Sequence, residues 1–181
     1  EEGLTSAMSQ IDAVLAELAD FAADLPAAAQ LLGDTQVRVS RVIHGPAQLV
    51  WEAHHDPALL RRWMLGPEGW TMPVCEVATA VGDSYRYEWE QADGEGRFGF
   101  TGQVLESHPP YREVTTEQMI GMPGPGTVNE LTLTPVTAGT LLVLVITYPD
   151  AELRETVLAT GMVDGMETSY ARLEAEVLTP A

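Results

Sequence analysis

Between residues 71 and 148 the apolar side chains recur at every second position, and turn-forming stretches interrupt them: VGDS at 81, ADGEG at 92, HPPY at 108, MPGPG at 122 and TAG at 137. Period two with recurrent turns reads as an antiparallel meander with one apolar face and one wet face. The clearest strand is SYRYEWEQ, where Tyr85, Tyr87 and Trp89 share one face and Arg86, Glu88 and Glu90 the other. RFGFTGQV continues it with Phe98 and Phe100 inward, and LTLT and TLLVLVITY add two more strands. About six or seven strands are expected, an ordinary size for an open sheet.

Helical signals flank this run. Residues 9 to 32 place Ile11, Val14, Leu15, Leu18, Ala22 and Leu25 at helical spacing, which predicts an amphipathic helix bent near Pro26 and ended by Gly33-Asp34. TQVRVSRVI (35 to 43) follows as a β-branched strand. A helix is expected after Pro46, and another after Asp56-Pro57, with Asp as N-cap and Pro in the first turn. Leu59, Leu60 and Trp63 would line its inner side, and Gly66-Pro67 would stop it, turning the chain so that Trp70 closes the side of the sheet. Asp150 would cap a last helix running to about 178, long enough at 1.5 Å per residue to cross a sheet, about 40 Å. Gly161 and Gly165 within it suggest either close packing on strands or room for a ligand.

Asp and Glu total 27 against 9 basic residues, all arginine, for a formal net charge of -18. Such a surface repels phosphate backbones and anionic membranes, so no nucleic-acid partner is expected. No apolar run approaches the roughly 20 residues of a membrane span, and none is expected to insert. The chain opens Glu1-Glu2-Gly3 with no charged-then-apolar leader, and its single cysteine, Cys75, cannot form an internal disulfide. A soluble protein of the reducing cytoplasm is expected.

The stretch GPAQLVWEAHHDPALLRRWMLGPEGW closely resembles the signature of bacterial proteins similar to the activator of Hsp90 ATPase, within the START-like (Bet v 1-like, SRPBCC) superfamily. AVGDSYRYEW, GQVLESHPPYREVTTE and AGTLLVLVITY resemble later motifs of that family in the same order, so that the likeness covers about residues 36 to 178. Two positions depart from it: Gly82-Asp83 stands where a double glycine is usual, and Met162 follows Gly161 where a tryptophan is often found. The resemblance implies an α+β helix-grip fold, a curved antiparallel sheet wrapped around the long C-terminal helix, with an apolar cavity between them. Residues 35–179 would form that domain, and residues 1–34 an N-terminal helical extension. The extension must bury Ile11, Val14, Leu18 and Leu25, either on its own domain or in a homodimer, which we favour.

Catalytic signals are sparse. His54-His55-Asp56 offers ligand atoms, but adjacent side chains on a helix diverge and nothing else completes a site, so a solvated helix end and no metal are expected. His44 and His108 are isolated. Cys75 has no neighbouring His and no Gly-x-Ser-x-Gly elbow occurs, so Cys75 reads as a structural thiol and no catalytic residue is assigned. Glu113 and Glu117 lie at even spacing on one strand: facing inward, one would be a desolvated carboxylate able to orient a ligand or move a proton; on an edge or bulge both would face water. The expected ligand lining is Trp63, Trp70, Tyr85, Tyr87, Trp89, Phe98, Phe100, Glu117, Met119, Met162 and Met166, an adaptable apolar wall.

The leading expectation is therefore non-catalytic binding of a hydrophobic small molecule or lipid, without a cofactor. A cyclase- or hydrolase-type enzyme using a cavity carboxylate is the alternative, and a stress-linked, Hsp90-activator-like interaction domain the third. A polar pair projecting into the cavity would favour the enzyme, and a wholly apolar cavity the binder.

Overall fold

In the computed structural model, which describes residues 22–66 and 68–179, eight strands form one antiparallel sheet in the order β1-β2-β8-β7-β6-β5-β4-β3. The strands are β1 (Ala28–Leu32), β2 (Gln36–Ile43), β3 (Trp70–Glu76), β4 (Ser84–Gln91), β5 (Arg97–His108), β6 (Arg112–Met119), β7 (Thr127–Val136) and β8 (Gly139–Thr147). Helices α1 (Ala47–His55) and α2 (Pro57–Trp63) lie between β2 and β3 in the chain, and α3 (Ala151–Leu158), α4 (Met162–Leu173) and a π-helical turn (Glu174–Leu178) follow β8. From β3 to β8 each strand pairs with the next in sequence, as hairpins joined by short turns must. Bulges between Thr71 and Val74 and between Val104 and Glu106 shift the register of the β3–β4 and β5–β6 pairs.

The eighth strand is a correction. Residues 28–32 were expected to continue a helix, yet they pair with β2 from Ala28 opposite Ser40 to Leu32 opposite Gln36. Pro26 cannot continue a helical hydrogen-bond ladder, and Gly33, at φ +58, turns the chain back on itself. Once the hairpin closes, backbone pairing to a buried strand outweighs the helix propensity of the alanines. Leu31, opposite Val37 and so on the same face, remains 52% exposed at this sheet edge. The helix expected upstream, with Ile11, Val14 and Leu18, and with it the dimer expectation, falls outside the described residues.

Short-range signals before β3 are realised. The Asp56 carboxylate accepts from the Ala58 N–H at 2.7 Å, with Pro57 in the first turn of α2. Leu60 and Trp63 are sealed at 1% exposure each, and the Trp63 indole N–H donates to the Ala53 carbonyl at 2.9 Å, locking α2 onto α1. Arg61 and Arg62 stay outside. The main core joins these helices to Ile43, Met72, Cys75, Trp89, Leu133 and Leu142 of the sheet and to Tyr170 and Leu173 of α4. Val37, Val39, Ile146 and Tyr148 form a second cluster, covered by Leu153, Val157 and Leu158 of α3 and by Met162 and Met166 of α4.

The single long C-terminal helix is also corrected. Asp150 caps α3 as expected, accepting from Leu153 N–H at 2.8 Å, but the helix ends after eight residues. Gly161 sits at φ +81, its N–H bonded to the Leu158 carbonyl, a left-handed terminus that only glycine adopts without strain. The chain then restarts as α4. Gly161 and Gly165 are both exposed, and a methyl group on either would meet nothing within 4 Å. They neither face a pocket nor pack on strands.

Arg41 fastens this helical segment to the sheet. It is inward on β2, its side chain 9% exposed, with Nε 2.9 Å from Glu167 Oε2 and Nη2 3.1 Å from Glu174 Oε2. Its Nη1 is 2.9 Å from Glu174 Oε1, off the line of a hydrogen bond. Among the described residues no helix is long and apolar enough to cross a membrane.

Candidate functional site

Strand register decides which side chains meet above the sheet. Phe100 pairs with Met119 and Val104 with Thr115, so Glu113, Thr115, Glu117 and Met119 project to the same face as Phe100 and Val104. Thr115 is opposite Asn129, and Glu113 opposite Leu131, which is in turn opposite Leu144. From β4, Tyr85 lies over β5 because its partner there is Gly102, where a Cβ would stand 2.6 Å from the Tyr85 hydroxyl and closer still to the Thr116 carbonyl. The tyrosine therefore spans the glycine and donates to the Thr116 carbonyl at 2.8 Å.

Of these, Tyr85, Val104, Glu113, Thr115, Glu117, Asn129, Leu131 and Leu144 floor a cavity of about 160 Å³. Its roof is the last turn of α1, His54 and His55, together with Val77 and Ala78 after β3. Tyr85, Tyr87, Glu113, Thr115, Glu117 and Asn129 are the polar members of its wall besides the histidines, and Val77, Val104, Leu131 and Leu144 the larger apolar ones. A larger, more open depression of about 590 Å³ lies among residues 45–48, 110–111 and 135–139, but Tyr111 is its only titratable side chain. The smaller cavity is the one with convergent chemistry.

Both histidines fold back on their own helix. His54 Nδ1 lies 2.7 Å from the Val50 carbonyl and His55 Nδ1 2.8 Å from the Trp51 carbonyl, while the His55 ring stacks on Trp51 with centroids 4.0 Å apart. His55 Nε2 then reaches Glu113 Oε1 at 3.1 Å. Burial opposes charge on this ring, but the bonds to Glu113 and to the Trp51 carbonyl outweigh it, and its pKa is raised. For His54 burial dominates and pushes the pKa down to about 4, so it is neutral at pH 7. Glu117 is pushed up by burial, against the hydrogen bonds of Asn129 and Tyr85. Burial likewise raises Tyr85 and Tyr87, with Glu117 adding to the effect on both.

The expected solvated helix end is thus overturned: His54 and His55 are cavity wall. Of the expected lining, Tyr85, Tyr87 and Glu117 line this cavity. Trp63 is core, stacked toward Tyr170; Trp70, Trp89, Phe98 and Phe100 pack on one another, and Trp89 also donates to the Met64 carbonyl at 2.7 Å. Met162 and Met166 pack into the core beneath α4, and Met119, though on the inner face, is 36% exposed at the rim. No residue of α3 or α4 lines the cavity, which lies beneath α1 rather than beneath the C-terminal helix. Cys75 is a buried free thiol whose pKa burial raises, consistent with a structural role. Among the described residues no group of three or more His, Cys, Asp or Glu is placed to hold a metal.

The family model for "Activator of Hsp90 ATPase homolog 1-like protein" (AHSA1) matches residues 44–177. The chain belongs to the AHSA1 family. That family is part of the SRPBCC, Bet v 1-like superfamily, as the motifs around Trp51 and Trp63 imply. Solved structures agree in fold. A Rhodobacter sphaeroides protein superposes with a TM-score of 0.78 at 29% identity, covering 83% of this chain and 96% of its own. Ms6760 from Mycobacterium smegmatis gives 0.75 at 21%, covering 86% and 99%. The AHSA1-like protein from Aeromonas hydrophila gives 0.64 at 19%, covering 81% and 96%. No curated protein matches the chain.

Proposed function

We propose that this AHSA1 domain binds a small amphipathic molecule in the cavity beneath α1. The observation that supports it is the mixed wall: polar side chains from β4, β6, β7 and α1 interleave with Val104, Leu131 and Leu144, Val104 standing beside Thr115 and Leu131 beside Glu113. About 160 Å³ suits one ring-sized group, since a cavity of roughly 150 Å³ takes benzene. A larger ligand would place only its head there. The wholly hydrophobic ligand expected from sequence fits less well, because it would strip water from Glu117 and Asn129 without replacing the lost hydrogen bonds.

Titrating a panel of ring-sized amphipathic fragments while following the methyl resonances of Leu131, Leu144, Val77 and Val104 tests this. Saturable shifts confined to those methyls are expected, and a panel that leaves them all unmoved would overturn the proposal. The His55–Glu113 pair beside Glu117 favours a second reading, an acid–base enzyme. Recovering the ligand after incubation separates the two: unchanged for a binder, converted for an enzyme. The buried thiol of Cys75 fits a reducing compartment, and we place the protein in the cytoplasm.

A further inference from the structure

We propose that the ligand of this cavity is a cation, a small organic amine whose ammonium group meets Glu117 while its apolar body rests on Leu131 and Leu144. The inference rests on the small-molecule reading above and narrows it to one chemical class.

The donors are largely engaged. His54 and His55 each direct Nδ1 to a carbonyl of their own helix, and the Nε2 of His55 is taken by Glu113. Tyr85 donates to the Thr116 carbonyl. Asn129 accepts from the Thr127 hydroxyl at 2.9 Å through Oδ1, which turns its NH₂ group toward Glu117. What remains open is mainly acceptor capacity: the Glu117 carboxylate, the second oxygen of Glu113, and the Tyr87 hydroxyl. No arginine among the described residues lines the cavity, and the chain has no lysine.

Anions, neutral acceptors and cations would meet these groups differently. An anion would face two carboxylates, with His55 already matched to one of them. A neutral acceptor such as a ketone would find the hydroxyls of Tyr87 and Thr115 and the second N–H of Asn129, but no charged donor. An ammonium group brings up to three donors and a counter-charge for Glu117, which has no ion-pair partner among the described residues, and the faces of Tyr85 and Tyr87 add a cation–π attraction. The net charge of -18 draws cations toward the domain in the first place.

Benzylamine, benzyl alcohol and benzoate share one ring and differ in charge, so the test is their binding at pH 7, read by calorimetry and by the Leu131 and Leu144 methyls. Benzylamine should bind at least tenfold more tightly than benzyl alcohol, with benzoate undetectable. Glu117→Gln should weaken benzylamine at least tenfold and by a larger factor than it weakens benzyl alcohol, whereas equal losses for the two would overturn the amine assignment. If benzyl alcohol or benzoate binds as tightly as benzylamine, the amine assignment is wrong while the small-molecule reading stands. If none of the three shifts those methyls, or benzylamine shifts only scattered surface signals, both fall. The three-probe comparison on the unmutated chain decides even if the Gln variant does not fold.

Discussion

His55 Nε2 stands 3.1 Å from Glu113 Oε1 while the Nδ1 of the same ring stands 2.8 Å from the Trp51 carbonyl. A carbonyl oxygen can only accept, so Nδ1 carries a hydrogen. The Nε2 contact then needs a further proton on the ring, which makes it an imidazolium, as its raised pKa favours. The pair is therefore a proton store in the cavity wall, joining α1 to β6.

This fixes a pH dependence. The folded pKa of His55 is raised above 6.5, so its contribution to stability is complete below about pH 6.5 and is lost as pH rises through the folded value. Every tenfold gain in the ring's proton affinity on folding corresponds to about 1.4 kcal/mol of stability. Glu113→Gln should lower the His55 midpoint in an NMR titration. It should also lower the melting temperature at pH 6 more than at pH 9; an equal loss at both would show that Glu113 acts by packing alone.

Glu117 makes stability depend on pH in the opposite sense to a salt-bridged carboxylate, because its pKa is raised rather than lowered. Burial raises its pKa above the 4.5 of an unfolded glutamate, so the folded form loses stability as pH rises from about 4.5 through the raised value. Glu117→Gln should accordingly raise the melting temperature at pH 7, by a degree or more, and change it little at pH 4. A stabilising loss of a charged group inside a pocket is the usual mark of a residue kept for binding. Equal melting temperatures at pH 7 would mean the carboxylate is not desolvated.

Arg41 is the opposite case, a charge retained for structure. Arg41→Met leaves Glu167 and Glu174 facing each other without a counter-ion, and losing one partner of a buried pair typically costs about 3 to 5 kcal/mol. Partial exposure of the two glutamates, 29% and 20%, puts the expected loss at the low end, about 3 kcal/mol. Adding Glu167→Gln and Glu174→Gln should restore part of it. Urea denaturation of the single and triple variants checks both steps; a triple variant weaker than the single one would show that the glutamates' other bonds, to Ala27 N–H and His44 N–H, carry the larger share.

What the sequence makes legible is what local chemistry controls. Asp56-Pro57 announces α2, and the alternation of Tyr85, Tyr87 and Trp89 announces the inner face of β4, because capping and pleat depend on neighbours in the chain. The cavity wall depends on register between strands and on where α1 ends. Glu113 and Glu117 share a face by spacing alone, but which face follows from the pairing of β6 with β5 and β7. His54 and His55 diverge on the helix, as adjacent residues must, yet both reach the wall because each ring bends back to a carbonyl four residues earlier. Asn129 carries no signal at all, since only its position opposite Thr115 brings it to Glu117. The run AAAQLL reads as helix yet supplies β1, because alanine's helix preference is weaker than pairing with a finished strand edge.

The two glycines of the C-terminal segment, four residues apart, give a final test of that local logic. Gly165 sits inside α4 with open space around it, so Gly165→Ala should gain about 0.8 to 1 kcal/mol from helix propensity with no steric penalty. Gly161 has equally open space but a φ of +81, where a Cβ costs about 1 to 2 kcal/mol. Gly161→Ala should therefore lower the melting temperature while Gly165→Ala raises it. If Gly161→Ala were also stabilising, α3 and α4 would be one continuous helix in solution, and the break at Ala159–Gly161 would not be a fixed feature of the fold.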